Sequence, residues 1–132
     1  MPHLVVDAMN VIGSRPNGWW RDRDGAVRLL LVRLQRLAQA SPEGITLVAD
    51  GRPLDDLPEG VQGGVTVLYA SRGGRNAADD RIVELVEEYP DPGTLEVVTS
   101  DRELSQRVHA RGAAVHGARW LLDQLDALET GQ

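Results

Sequence analysis

The sequence predicts a three-layer α/β/α sandwich built around a mainly parallel sheet of about five strands. Short, almost continuously apolar runs alternate along the chain with segments of helical periodicity, as in sheets that helices cover on both faces. The chain has 132 residues, the usual size of one domain, so we expect a single domain over residues 1–132. No apolar run approaches the roughly 20 residues of a membrane span.

Five runs rich in Val, Ile and Leu predict the strands, at residues 4–6, 45–48, 65–68, 95–98 and, more weakly, 113–115. Apolar residues three and four apart predict four helices between and after them, at residues 26–38, 77–88, 102–110 and 119–128. The most irregular segments, 13–25, 51–60 and 71–75, each follow a strand at its carboxyl end. Ligands of open parallel sheets bind at that edge.

Two residue types that the sequence lacks limit its possible catalytic chemistry. The chain has no cysteine, and all 14 basic residues are arginine. This excludes thiol nucleophiles, cysteine-bound zinc, Schiff bases and the standard P-loop lysine. The net charge of −6 argues against broad attraction to nucleic acid and leaves only a local basic surface for it. Because the N-terminus has no signal-like pattern, we expect a cytoplasmic protein.

Aspartates follow several of the predicted strands. Asp7, Asp50 and Asp101 come after the first, second and fourth strands, and Asp79 and Asp80 open the helix after the third. A right-handed connection brings all of them to one edge of the sheet. Clustered carboxylates repel each other unless a cation compensates, and Mg²⁺ and Mn²⁺ prefer such oxygen ligands. The pattern therefore predicts metal-assisted phosphodiester hydrolysis.

Each of these positions also has a purely structural interpretation. Asp79 and Asp101 suit helix N-caps, and Asp50 suits a turn. Asn10 either orients a water or phosphate, or caps a short helical turn. Ser100 either touches a metal-bound water or caps the helix that begins near Asp101. Capping alone does not explain why acids follow several different strands at one edge.

Three motifs in fixed order resemble the NYN branch of the PIN-like nuclease superfamily, and more closely its YacP-like ribonuclease members. They are VVDAMNVIG at residues 5–13, NAADDRI at 76–82 and VVTSDRE at 97–103. The resemblance extends from Leu4 to about Val115. It implies an α/β/α fold and cleavage of RNA with Mg²⁺ or Mn²⁺.

The resemblance also implies roles for individual residues. Asp7, Asp79 and Asp101 would bind the metal, and Asn10 and Asp80 would assist them. Asp50 and Ser100 are candidates for an outer shell around these ligands. The implied partner is RNA, including mRNA on the ribosome, and the segment 14–24 leaves the choice of substrate open.

A basic and aromatic loop precedes the second predicted helix. Its residues, with two arginines that precede Asp79, predict an RNA-binding surface formed by Arg15, Trp19, Trp20, Arg21, Arg72 and Arg75. Aromatic faces stack on bases, and arginines neutralise phosphates. In the alternative interpretation, Trp19 or Trp20 packs as a hydrophobic lid or forms a homodimer contact.

Three classes of function compete. A metal-dependent ribonuclease accounts for the ordered acids. A catalytically silent RNA-binding or ribosome-associated module would keep the fold and the basic-aromatic loop. A small-molecule phosphatase or phosphoacceptor domain fits poorly, because Met9 stands where dehalogenase-like phosphatases need a second Asp and receiver domains use a lysine.

Overall fold

A computed structural model describes residues 3–41, 44–70 and 77–130. These ranges contain six strands and five helices in the order β1 (His3–Asp7), α1 (Ala8–Gly13), α2 (Arg23–Ala40), β2 (Gly44–Asp50), β3 (Gly60–Gln62), β4 (Val65–Ala70), α3 (Ala77–Glu88), β5 (Leu95–Val98), α4 (Arg102–His109), β6 (Ala114–His116) and α5 (Ala118–Glu129). Single 3₁₀ turns precede α2 and β5. No helix within these ranges has the length and apolar composition to cross a membrane.

The strands form one sheet in the order β3-β4-β2-β1-β5-β6. All neighbours are parallel except β3, which pairs antiparallel with β4. Parallel neighbours need crossover connections. Helices supply three of them, and the segment that contains β3 connects β2 to β4. The carboxyl ends of five strands therefore meet at one edge of the sheet, and the predicted fold class is confirmed.

Two short elements differ from the sequence-based expectation. β3 begins where the irregular segment 51–60 ends. Its three residues are too few to show a strand pattern, and pairing with β4 holds them in place. α1 has six residues, fewer than two helical turns, so no apolar periodicity can develop in it. The five predicted strands and four predicted helices are all present, with slightly different bounds.

The sheet separates two apolar cores. Alternate side chains of β1 point to opposite faces, so Leu4 and Val6 join one core and Val5 joins the other. Helices α1, α2 and α5 close the first core, and α3 and α4 close the second. β1 is central, with Val6 beside Leu47 of β2 and Val98 of β5. The residue that ends β1 therefore emerges in the middle of the sheet edge.

Candidate functional site

Asp7 ends the central strand and is almost fully buried, with 5% of its surface exposed. Its Oδ2 accepts a hydrogen bond of 3.0 Å from the hydroxyl of Thr99. Burial raises the pKa of Asp7 to about 6, and although the Thr99 bond opposes this shift, the charges of Asp79 and Asp50 add to it. The carboxylate is thus held where its negative charge is poorly compensated.

Thr99 connects two of the predicted acids. Besides donating to Asp7, its Oγ1 accepts a hydrogen bond of 3.1 Å from the backbone N–H of Asp101. Thr99 is itself buried, with 1% of its surface exposed. Sequence reasoning missed this residue, although a threonine two positions before an aspartate is a known local hydrogen-bonding pattern.

Asp101 is the N-cap of α4, so the structural interpretation of this residue is confirmed. Its Oδ1 accepts a hydrogen bond of 2.9 Å from the backbone N–H of Leu104. Capping uses one carboxylate oxygen; within the described part of the chain, Oδ2 accepts no hydrogen bond. The cap fixes the position of Asp101 and leaves it able to bind a cation.

Asp79 lies in the first turn of α3 and is half-buried, in the third position of the helix. Burial raises its pKa, and the charge of Asp101 raises it further, as does that of Asp50, while Arg107 opposes the shift. Asp50 is exposed at the end of β2, followed by Gly51 with a left-handed φ of 89°. The four acids from four segments therefore influence each other electrostatically at one edge, as the sequence predicts.

Asn10 and Ser100 brace this edge. Asn10 lies inside α1 rather than at its end, and its Oδ1 accepts a hydrogen bond of 2.7 Å from the backbone N–H of Ser100. The hydroxyl of Ser100 accepts a bond of 2.9 Å from the N–H of Ala118, at the start of α5. Asn10 therefore does not cap a helical turn, and Ser100 does not cap α4, as the alternative interpretation had it. Together they tie α1, α5 and the turn after β5 to one another.

Asp80 follows Asp79 in the first turn of α3. It is exposed and forms an ion pair of 3.0 Å with Arg107 of α4. The neighbouring Arg81 pairs with Glu84 on its own helix. Asp80 thus joins α3 to α4 beside the acidic edge.

The residues of the basic-aromatic loop have different environments. Arg15 forms an ion pair of 2.8 Å with Asp126, which Arg33 also binds. Trp19 packs against the first core, whereas Trp20 is 55% exposed and meets Trp19 edge to face. Arg21 is exposed, without an ion pair to any residue that the structure describes. The predicted RNA ligands Arg72 and Arg75 lie outside the described residues.

Several further arginines lack an ion pair within the described ranges. Three of them lie shortly after the carboxyl ends of β2, β5 and β6, and a fourth begins α2 and lines a cavity with Asp50. We call these four the edge arginines: Arg52, Arg102, Arg119 and Arg23. All four are exposed. By contrast, Arg28, Arg33, Arg107 and Arg111 are each held by a carboxylate. Although the chain is acidic overall, the described residues thus include guanidinium groups that no described carboxylate binds, two of which line a cavity with Asp50.

The acidic edge has the donor chemistry of a site for a hard divalent cation. Its acidic side chains offer carboxylate oxygens, and a cation would stabilise the ionised form of Asp7, whose pKa is raised. Within the described ranges, no three histidine, aspartate or glutamate side chains come together closely enough to hold a metal ion. Mg²⁺ commonly binds through one or two carboxylates and keeps several waters, so the residues fit that mode of binding.

Comparison with known proteins supplies the family. The model of the YacP-like NYN domain matches residues 4–132. The chain belongs to the YacP-like NYN family. This family is nuclease-like, which supports a nuclease or RNA-related function.

Solved structures agree with the fold of this YacP-like NYN domain. Two crystal structures of Rae1 (YacP) from Bacillus subtilis, one of them a point mutant, match it with TM-scores of 0.79 and 0.73. Both are 23% identical in sequence, and the matches cover 98% of this chain and 78% and 76% of theirs. No curated protein matches the sequence significantly.

Proposed function

We propose that this YacP-like NYN domain is a metal-dependent ribonuclease that hydrolyses RNA phosphodiester bonds at the acidic edge of the sheet. One observation carries the proposal: Asp7 is buried at the end of the central strand near other acids, and burial, with a smaller contribution from their charges, raises its pKa to about 6. Such an arrangement is unfavourable without a partner cation. A purely structural role would not require a buried carboxylate at this position, since a neutral side chain could be buried there at a lower desolvation cost.

The proposed metal ligands are Asp7, Asp79 and Asp101, and the proposed ion is Mg²⁺ or Mn²⁺. Because these described carboxylates do not converge as a three-ligand group, one or two of them would bind the ion directly and bound waters would link it to the rest. When bound, such an ion activates water and neutralises charge on a phosphoryl group. Thr99 holds Asp7 and the turn of Asp101 in fixed relation through its hydroxyl. The caps and braces at this edge keep the carboxylates in place before any cation arrives.

The remaining predicted residues have supporting roles in this proposal. Asn10 and Ser100 fix the turn after β5 against α1 and α5. Asp80 assists by joining α3 to α4 through Arg107. Asp50 acts from outside the ligand set by adding negative charge near Asp7 and Asp79.

Single-stranded RNA is the proposed substrate, with mRNA on the ribosome as one form of it. Trp20 offers an exposed aromatic face for stacking on a base. Arg21 and the edge arginines offer guanidinium groups that no described carboxylate neutralises. Arg15 is a weaker candidate because Asp126 already binds its guanidinium.

The test is cleavage of a labelled single-stranded RNA by the wild type, Asp7→Asn and Asp101→Asn, with Mn²⁺, Mg²⁺ or EDTA. We expect metal-dependent cleavage by the wild type and none by either variant. Asp123→Asn is the matched control, since this carboxylate is exposed on α5 and has no described ion pair. Full activity of both site variants, or activity in EDTA, would refute the proposal.

The second candidate is a catalytically silent RNA-binding module with the same fold. The absence of a three-ligand metal group from the described side chains favours it. This candidate predicts RNA binding that EDTA leaves unchanged, with no turnover under any of the metal conditions above.

A further inference from the structure

A cavity of about 240 Å³ opens beside Asp50, between the carboxyl end of β2 and the start of α2. Its apolar wall includes Met9, Val27, Leu54 and Tyr69, and charged side chains form the rest of the lining. Two of the edge arginines, Arg23 and Arg52, line it as well. The cavity therefore joins an apolar surface to cationic groups next to the acidic edge.

The wall of the cavity is held in place by hydrogen bonds. Tyr69 is 5% exposed, and its hydroxyl donates to the carbonyl oxygen of Leu57 at 2.7 Å. The backbone N–H of Tyr69 donates to Oε1 of Glu59 at 2.9 Å. Leu54 and Leu57 form an isolated antiparallel bridge. A ligand would meet a preformed surface, which lowers the entropic cost of binding.

The two guanidinium groups have no protein partner among the described residues. Arg23 and Arg52 are exposed and form no ion pair there, although Asp24 and Asp50 line the same cavity. Arg28 on the same helix is different, because Asp56 binds it through two hydrogen bonds of 2.9 Å. Unpaired guanidinium groups recognise phosphate oxygens through paired N–H donors.

We propose that this cavity binds one nucleotide of single-stranded RNA adjacent to the bond that is cut. Arg23 and Arg52 donate to its phosphate oxygens, and the base lies against Met9 and Tyr69. The carboxylate of Asp50 accepts a hydrogen bond from a ribose hydroxyl or a base amino group. The proposal rests on the ribonuclease function above, which it extends by naming how the substrate is held.

Charge favours a nucleotide over an apolar ligand. Two cations and two carboxylates around an apolar wall match a group that is anionic at one end and carries hydrogen-bond donors at the other. A cavity for an apolar ligand would not place exposed arginines at its border.

Binding without cleavage isolates this subsite. A short fluorescein-labelled single-stranded RNA is titrated in EDTA, by fluorescence anisotropy at several salt concentrations, against the wild type, Arg23→Ala, Arg52→Ala and the double variant. Each substitution is expected to weaken binding about tenfold, because each removes a hydrogen bond to a charged group. The slope of log K against log salt should become shallower by about 0.7 for each arginine removed.

Arg36→Ala is the matched control. Arg36 is exposed on the same helix and also has no described ion pair, but it lies about 20 Å along the helix from Arg23. Arg36→Ala changes the net charge as much as Arg23→Ala does. If the arginines acted only through nonspecific attraction, the two variants would lose RNA affinity equally. We expect RNA affinity and salt slope to stay at the wild-type values in Arg36→Ala.

Three outcomes overturn the subsite: no RNA binding by the wild type, unchanged affinity of the double variant, or an equal loss in Arg36→Ala. Metal-dependent cleavage, compared between the wild type and Asp101→Asn, judges the nuclease proposal separately. Cleavage that persists while the arginines prove dispensable removes only the subsite. Binding that depends on both arginines, without cleavage in any metal, removes only the nuclease activity. Circular dichroism of the double variant confirms that it is folded.

Discussion

The hydroxyl of Thr99 donates a buried hydrogen bond of 3.0 Å to Oδ2 of Asp7. Oγ1 of Thr99 also accepts a hydrogen bond from the backbone N–H of Asp101, so one side chain sets the relation between the ends of β1 and β5. These two strands are neighbours in the sheet, which brings their terminal residues within reach of each other. The acidic edge is therefore positioned by a neutral residue between two acids.

Thr99→Val tests this relationship, because it keeps the shape of the side chain and removes the hydroxyl. Two hydrogen-bonding groups lose their partner, so we expect a loss of about 1–3 kcal/mol in the free energy of unfolding, together with a fall in RNA cleavage. Urea unfolding and a cleavage assay measure the two effects, and Thr99→Ser should restore both.

Thr46→Val provides the matched control for that prediction. Thr46 is also buried and shares a hydrogen bond of 2.7 Å with His3, but it lies towards the amino end of β2. Its loss should lower stability without lowering cleavage. If both variants cleave equally well, Thr99 has only a structural role.

The pKa of Asp7 predicts a stability that depends on pH. In the folded chain it is about 6, against an ordinary value of 3.8. The folded state thus binds the proton more tightly, and the resulting stability is present below about pH 4 and lost as pH rises through 6. Asp7→Asn removes this pH-dependent loss of stability, and the amide oxygen of the asparagine can still accept the hydrogen bond from the Thr99 hydroxyl.

The expected result is a difference between variant and wild type that grows with pH. In EDTA, Asp7→Asn should match the wild type near pH 4 and exceed it by about 1–3 kcal/mol at pH 7. Urea unfolding across this range measures the difference. If Asp7→Asn were less stable than the wild type by the same amount at both pH values, the ionised carboxylate of Asp7 would not destabilise the folded state.

The two adjacent tryptophans are expected to separate stability from binding. Trp19 packs against the core, so Trp19→Ala should lower the free energy of unfolding by about 1–3 kcal/mol. Trp20 is exposed, so Trp20→Ala should leave stability within about 0.5 kcal/mol of the wild type and weaken RNA binding. Thermal unfolding and RNA anisotropy measure both. The reverse assignment, with Trp20 structural and Trp19 needed for RNA, would contradict the proposed stacking surface.

Long periodic segments made the fold predictable from sequence. Apolar runs placed β1, β2, β4, β5 and β6, and parallel order then brought the acids after them to one edge. α1 and β3 were not predicted, because their few residues are held by neighbouring elements rather than by local preference.

Partners distant in sequence explain what remained hidden at the site. Sequence spacing cannot show that Asn10 meets Ser100, that Asp126 binds Arg15, or that Arg23 and Arg52 line one cavity. Thr99 stood beside a predicted acid, but its role depends on the pairing of β1 with β5. Residue types and their order revealed the acids, whereas tertiary contacts decide which of the other residues support them.

The most direct test of the account is a thermal-unfolding titration of the wild type and Asp101→Asn with Mn²⁺. Asparagine is as good an N-cap as aspartate, so the variant should retain α4 and differ mainly in charge. We expect saturable stabilisation of the wild type, about 2.7 kcal/mol at a hundredfold excess over Kd, and its loss in the variant. Equal stabilisation of both proteins, or of neither, would contradict a metal site at the acidic edge.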